Sequence, residues 1–206
     1  MSKGQFITLE GTEGAGKSTA AVAIADWLMG RGVDLVISRE PGGTALGEML
    51  RSVLLDPNTG NLAAESELLM MFAARAQHIM QIIQPALEAG KWVLCDRFTD
   101  ASFAYQGGGR GLSFERIEEL EQWVHPHLQP DLTLLFDLPV EEGLQRAGRR
   151  NFPDRFEQEK VAFFTQVREA YLRRMEQFPG RVKLVDASQN VEQVFCQAQA
   201  LIEPLF

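Results

Sequence analysis

Five short apolar runs punctuate the chain: Phe6 to Glu10, Leu35 to Arg39, Trp92 to Asp96, Leu132 to Asp137 and Val182 to Asp186. Runs of that length without alternation predict strands buried on both faces. Between them lie segments whose apolar residues recur at helical spacing, notably Ser18 to Arg31, Glu65 to Ala89, Phe114 to Val124, Glu157 to Gln177 and Val191 to Leu205. This alternation implies crossover units, hence an α/β fold in which helices flank a five-stranded parallel sheet as a three-layer sandwich. No repeat, low-complexity tract or interdomain linker interrupts the pattern, so residues 1–206 read as a single domain. Ligands of such sheets sit at the carboxyl ends of the strands, and the segments just after them are where chemistry is expected.

The segment after the first run is Gly11-Thr12-Glu13-Gly14-Ala15-Gly16-Lys17-Ser18, which satisfies G-x-x-x-x-G-K-[ST] without a substitution. It has the strand before it and the helix after it that the motif requires. Its glycines admit backbone angles closed to other residues, so successive N–H groups can turn inward onto phosphate oxygens, and the helix N-terminus adds partial positive charge. Lys17 is expected at the β- and γ-phosphates and Ser18 in the coordination sphere of Mg²⁺. The fold is therefore expected to be P-loop NTPase-like and the ligand a nucleoside triphosphate.

Composition narrows the remaining choices. A hydrophobic content of 45% in 206 residues suffices for a core, and a formal net charge of −8 argues against a nucleic-acid polymer as partner. Among the basic residues only Lys3, Lys17, Lys91, Lys160 and Lys183 are lysines. The arginines can still form a local cluster for a small anion, because guanidinium pairs with phosphate in a planar, bidentate way. Cys95 and Cys196 lie far apart, and Cys95, within an apolar strand, reads as a buried reduced thiol of a cytoplasmic protein. No signal peptide or membrane span is expected, since the N-terminus lacks an apolar core region and Arg75 interrupts the run from Leu68 to Ala74. His78, His125 and His127 offer no metal-binding spacing.

After the second run comes Arg39-Glu40-Pro41-Gly42-Gly43-Thr44, a turn with Thr44 as helix N-cap, although a plain loop also explains its glycines. After the third comes Asp96-Arg97. The carboxylate there either holds Mg²⁺, directly or through water, or belongs to a surface salt bridge. A regulatory GTP switch would add D-x-x-G and N-K-x-D, and neither occurs.

In this combination the chain resembles the thymidylate kinase family, which phosphorylates dTMP to dTDP with ATP. The resemblance is carried by Gly11 to Ser18, Arg39-Glu40-Pro41-Gly42-Gly43-Thr44, Phe72 with Arg75, Asp96-Arg97-Phe98, Ser102-Phe103-Ala104-Tyr105-Gln106-Gly107 and Asp154-Arg155-Phe156-Glu157. The phosphate loop alone marks a superfamily, whereas these pieces together and in this order are far more specific. The resemblance implies a dTMP site in which Phe72 stacks on thymine and Arg75 donates to O4, and Ser102 and Gln106, four apart and so on one helix face, can both reach the thymine edge or bound water near it. On pattern alone Phe72 also reads as core, among Leu68, Leu69, Met70 and Met71. Tyr105 is implied to close over the sugar near C2′, Arg97 to contact the monophosphate, Pro41 to shape the pocket around the thymine methyl and Glu13 to accept from the 3′-hydroxyl. Arg39 joins this set, and Arg51 is either an acceptor-phosphate contact or part of a solvated helix face.

Thr12, Glu13 and Ala15 supply no basic residue within the loop, so the resemblance sends the catalytic arginine to a lid at 146–157. Arg150 is the first choice, with Arg146 and Arg149 behind it, although the segment departs from the family's commonest lid spelling. The nucleophile is a phosphate oxygen already largely ionised near neutral pH, so no general base is needed. Asp186-Ala187-Ser188-Gln189 is the best-placed loop for the adenine. A homodimer is implied, with the long helix around Phe72 offering an apolar face. The rival readings are another nucleoside or nucleoside monophosphate kinase and, further off, a non-enzymatic nucleotide switch.

Overall fold

The computed structural model describes residues 4–148, 154–157 and 159–206. All five strands form where the apolar runs predict them: β1 (Phe6–Glu10), β2 (Leu35–Arg39), β3 (Trp92–Asp96), β4 (Leu132–Asp137) and β5 (Val182–Asp186). They make one parallel sheet in the order β2-β3-β1-β4-β5. The central strand β1 is wholly buried, so both of its faces must be covered.

Alternation within the strands divides the core. Ile7 and Leu9 of β1, Trp92 and Leu94 of β3, and Leu132, Leu134 and Phe136 of β4 face α1 (Lys17–Gly30) and α9 (Val191–Ile202), packing on Ile24, Leu28, Ala198 and Ile202. The intervening residues Phe6, Val93 and Cys95 face the other way, onto Ile79, Ile83 and Phe98. Leu135 on that side joins Val167, Ala170 and Tyr171 of α8 (Val161–Gln177). A period of two along each strand thus produces the expected three layers.

Between β2 and β3 stand α2 (Ala45–Leu55), capped by the Thr44 hydroxyl as expected, and a long helical rod. The single helix predicted over 65–89 proves to be α3 (Ala64–His78) and α4 (Gln84–Glu88) joined by a π-helical turn, Ile79–Ile83. Pro85 has no N–H for the carbonyl of Gln81, and the wider turn accommodates that missing bond. After β3 a short α5 (Thr99–Ser102) widens into a π-helical segment, Phe103–Gly109, followed by α6 (Phe114–Val124). The pattern does not predict α7 (Val140–Ala147), which is short and acidic at its start. Among the described residues no helix is long and apolar enough to cross a membrane.

Candidate active site

The turn from β1 into α1 builds the first part of the site. Gly14 has φ 74°, and a Cβ there would lie 1.9 Å from the carbonyl oxygen of Gly143 in α7. Gly11 has φ 135° and similarly touches the Phe136 carbonyl. Only glycine lets the loop adopt these angles while pressed against two other backbones. Lys17 is buried, and its Nζ donates to the carbonyls of Gly11 and Thr12, both at 2.8 Å. Burial, with the nearby positive charge of Arg97, pulls its pKa down to about 8.

The end of β3 supplies the second part. Arg97 is the only non-glycine residue with positive φ among those described, at 71°. A backbone angle of this kind persists only where surrounding contacts impose it. Here the Arg97 N–H donates to Leu9 O at 2.9 Å, while the guanidinium donates to Glu13 Oε1 at 2.9 Å and Tyr171 Oη at 3.2 Å and lies 4.6 Å from the Tyr105 ring centroid. The Tyr105 hydroxyl donates to both oxygens of Glu13. Beneath them sits Glu10, fully buried, accepting from Phe98 N and Tyr171 Oη at 2.7 Å each. Burial and, secondarily, the negative charge of Asp100 push its pKa up to about 8.

The third part comes from α3 and α5. Arg75 is 1% exposed. It donates through Nε to Glu40 Oε2 at 2.8 Å, through Nη1 to Ser102 Oγ at 3.1 Å and through Nη2 to Phe98 O at 3.0 Å. Glu40 is also bonded to His78 Nδ1, whose Nε2 meets the Ser38 hydroxyl at 2.6 Å. Gln106 donates to Glu67 Oε1 at 2.8 Å.

These parts line one cavity of about 230 Å³ that includes Glu13 to Ser18, Pro41, Arg51, Arg75, Asp96, Arg97, Ser102, Tyr105 and Gln106. Glu10, His78 and Tyr171 do not line it, and sequence reasoning missed them as supports. Glu10 and Tyr171 are brought together by the fold alone, and no local pattern announces the pair. Met71, Leu55 and Ala101 add an apolar wall.

Gly11 and Thr12 shape the phosphate loop from outside the lining, and Arg39, Phe72 and Arg146 stand elsewhere. Arg39 points away, its guanidinium exposed and paired with Glu48 of α2 at 2.9 Å. Glu40, the residue just past β2, is instead buried against Arg75 and His78. Phe72 is outside the cavity lining and packs with Leu68, Phe103 and Ile117, which agrees with the core reading. It still supports the site, since the Arg75 guanidinium lies 4.7 Å from its ring centroid. Arg146 falls within α7 rather than in a lid, donating to Glu142 one turn earlier and to the Ala187 carbonyl at 2.8 Å. It therefore ties α7 to the loop expected on the adenine side. Arg149 and Arg150 lie outside the described residues, as do parts of the expected lid segment.

The acidic group at the end of β3 has a distinct signature. Asp96 Oδ1 is buried without a hydrogen-bond partner among the described residues, and Asp96 and Ser18 line the same cavity. Buried carboxylate oxygens left unpaired are costly, and a hard cation satisfies such an oxygen. Among the described residues no cluster of three or more histidine, cysteine or acidic side chains forms a separate metal site.

A parallel sheet, a phosphate loop with its lysine and an adjoining basic pocket define a nucleotide-binding phosphotransferase of the P-loop class. The thymidylate kinase family model matches residues 9–198. A thymidylate kinase of Ectopseudomonas mendocina is 58% identical over 202 residues, covering 98% of this chain and 96% of that protein. One from Alkalilimnicola ehrlichii is 56% identical over 195 residues, covering 94% and 90%. The crystal structure of thymidylate kinase from Ehrlichia chaffeensis superposes with a TM-score of 0.81 at 30% identity, covering 98% of this chain and 99% of that one. The chain belongs to the thymidylate kinase family. It is an enzyme, a kinase of nucleotide biosynthesis.

Proposed function

We propose that this enzyme transfers the γ-phosphoryl group of ATP to dTMP, giving dTDP, by in-line displacement. The observation that carries this reading is the shared cavity. Its lining brings Lys17 and the phosphate loop together with Arg75, Ser102 and Gln106, polar groups suited to a base. Arg97 and Tyr105, anchored on Glu13, belong to the same lining and suit an acceptor phosphate and sugar.

The protein's part in the chemistry is alignment and charge neutralisation. Lys17 would leave the carbonyls of Gly11 and Thr12 for the phosphates of the donor. Arg97 holds the acceptor phosphate, with Arg51 of α2 as a second cation in the same lining. Mg²⁺, held by Ser18 and Asp96, would supply neutralisation of charge on the donor phosphates. Arg150 is assigned the transition-state role in a lid that keeps water from the phosphoryl group, with Arg149 beside it. The loop at Asp186 to Gln189, anchored through Arg146, borders the adenine.

Steady-state phosphoryl transfer from ATP to dTMP, dUMP, dCMP, AMP and GMP tests the acceptor. The expected result is a clear preference for dTMP, and a higher kcat/KM for any other acceptor would overturn the reading.

We also place the enzyme in the cytoplasm, in keeping with two free thiols, and as a homodimer. We assign its contact surface to exposed apolar side chains, Leu46, Met49 and Val53 of α2, Leu69 and Met80 along the α3 rod, and Trp123 of α6, which is 80% exposed. Light scattering should give twice the chain mass at micromolar concentration, and Leu69→Glu with Met80→Glu should give a monomer. A monomeric wild type at those concentrations would remove the dimer.

A further inference from the structure

The polarity of the base pocket depends on how two planar side chains are oriented, and the structure shows what orients each. Arg75 is held by the buried carboxylate of Glu40. Of the five N–H donors of its guanidinium, three are taken by Glu40, Ser102 and Phe98, and those that remain belong to a residue lining the cavity. This wall presents donors.

Gln106 is the other planar group, and an amide can present either its oxygen or its NH₂ to a ligand. Which one it presents is decided behind it. Gln106 is 1% exposed, and the group behind it is Glu67, 0% exposed. Glu67 also takes Arg110 Nε at 3.3 Å and Arg155 Nη2, so the carboxylate faces two guanidinium groups as well as the amide. An ionised carboxylate only accepts hydrogen bonds. Gln106 must turn its NH₂ toward Glu67, which leaves Oε1 as the group it can offer the cavity.

We propose that Glu67, two helical turns from Arg75 on α3 and outside the cavity lining, is a specificity-determining positioning residue. It fixes the Gln106 amide so that the pocket offers an acceptor beside the donors of Arg75. That pair matches the N3–H and O4 of thymine or uracil. It opposes cytosine, whose N3 accepts and whose C4 substituent donates. The proposal rests on the assignment of dTMP as acceptor and adds how a pyrimidine amino group is refused. Mispairing of this kind is an effective means of discrimination, because it leaves buried polar groups unmatched.

Glu67→Gln tests it, since a glutamine there can donate to Gln106 Oε1 and permits the reversed amide. The ratio of kcat/KM for dTMP to that for dCMP is expected to fall at least tenfold relative to wild type. Equal losses for both nucleotides, with the ratio unchanged within twofold, would mean that Glu67 acts on folding alone and would overturn the proposal. A neutron structure of the deuterated wild-type protein gives a second decision that needs neither a stable variant nor turnover. Deuterons of the Gln106 amide facing Glu67 support the proposal, and deuterons facing the cavity overturn it. Failure of wild type to use dTMP would count against the acceptor assignment instead, and the neutron result would still decide the amide.

Discussion

Lys17→Met should lower kcat by about a thousandfold, or about 4 kcal/mol of transition-state stabilisation, while leaving the affinity for dTMP nearly intact. Among the described residues the lysine is the one ammonium group lining the cavity, and it sits at the end of the phosphate loop. The same substitution should not destabilise the fold. The folded pKa of Lys17, about 8, lies below the ordinary 10.5, a difference that corresponds to about 3 kcal/mol against the charged form. The sign is that of a buried amine: the penalty is present in full below pH 8 and is relieved as pH rises from about 8 toward 10.5. Two hydrogen bonds to loop carbonyls offset part of it, at about 1 kcal/mol each. At pH 7 the methionine variant is therefore expected to keep the wild-type Tm or exceed it. Steady-state kinetics, dTMP titration calorimetry and thermal unfolding check the three statements. A Tm several degrees lower would show that Lys17 holds the loop together rather than waiting for a ligand.

Arg97→Met is expected to lower kcat/KM for dTMP by about a thousandfold through a different route, with ATP affinity changed little. The guanidinium neutralises Glu13, stacks on Tyr105 and meets the Tyr171 hydroxyl. Without it the Glu13 carboxylate, 13% exposed, retains among the described residues the Tyr105 hydroxyl alone and faces an incoming phosphate with its charge uncompensated. Two unit charges 4 Å apart interact by about 4 kcal/mol at an effective dielectric constant of 20, so repulsion adds to the lost attraction. Arg97→Lys restores the charge but not the fork, and should recover only part of the activity. Kinetics with dTMP varied at saturating ATP, and with ATP varied at saturating dTMP, separate the two sides. Equal losses in both would place Arg97 on the donor.

The sheet was legible because parallel strands buried on both faces must be apolar throughout, and such runs stand out at their true length. The phosphate loop was legible because backbone geometry restricts its glycines. Helix α7 was not, since its eight residues include Glu141, Glu142 and Gly143, and its one strong constraint, the approach of Gly143 to Gly14, is tertiary. Nor could sequence decide among arginines. Arg39 and Arg75 are equally plausible anion ligands by type, yet one pairs with Glu48 at the surface while the other is locked beneath Glu40. The supports of the site, Glu10 with Tyr171 and Glu67 with Arg155, join residues 161 and 88 positions apart, beyond any local signal.

The contact between Gly14 and Gly143 also changes what counts as the nucleotide-binding motif. The eight residues from Gly11 to Ser18 are usually treated as portable, a loop that any strand and helix can carry. In this protein a Cβ at 143 would come within 2.7 Å of the Glu13 carbonyl oxygen, so the loop cannot hold its shape beside any residue but glycine there. The motif is eight letters in the chain and nine in space. Grafting it elsewhere, or redesigning α7, means carrying the ninth.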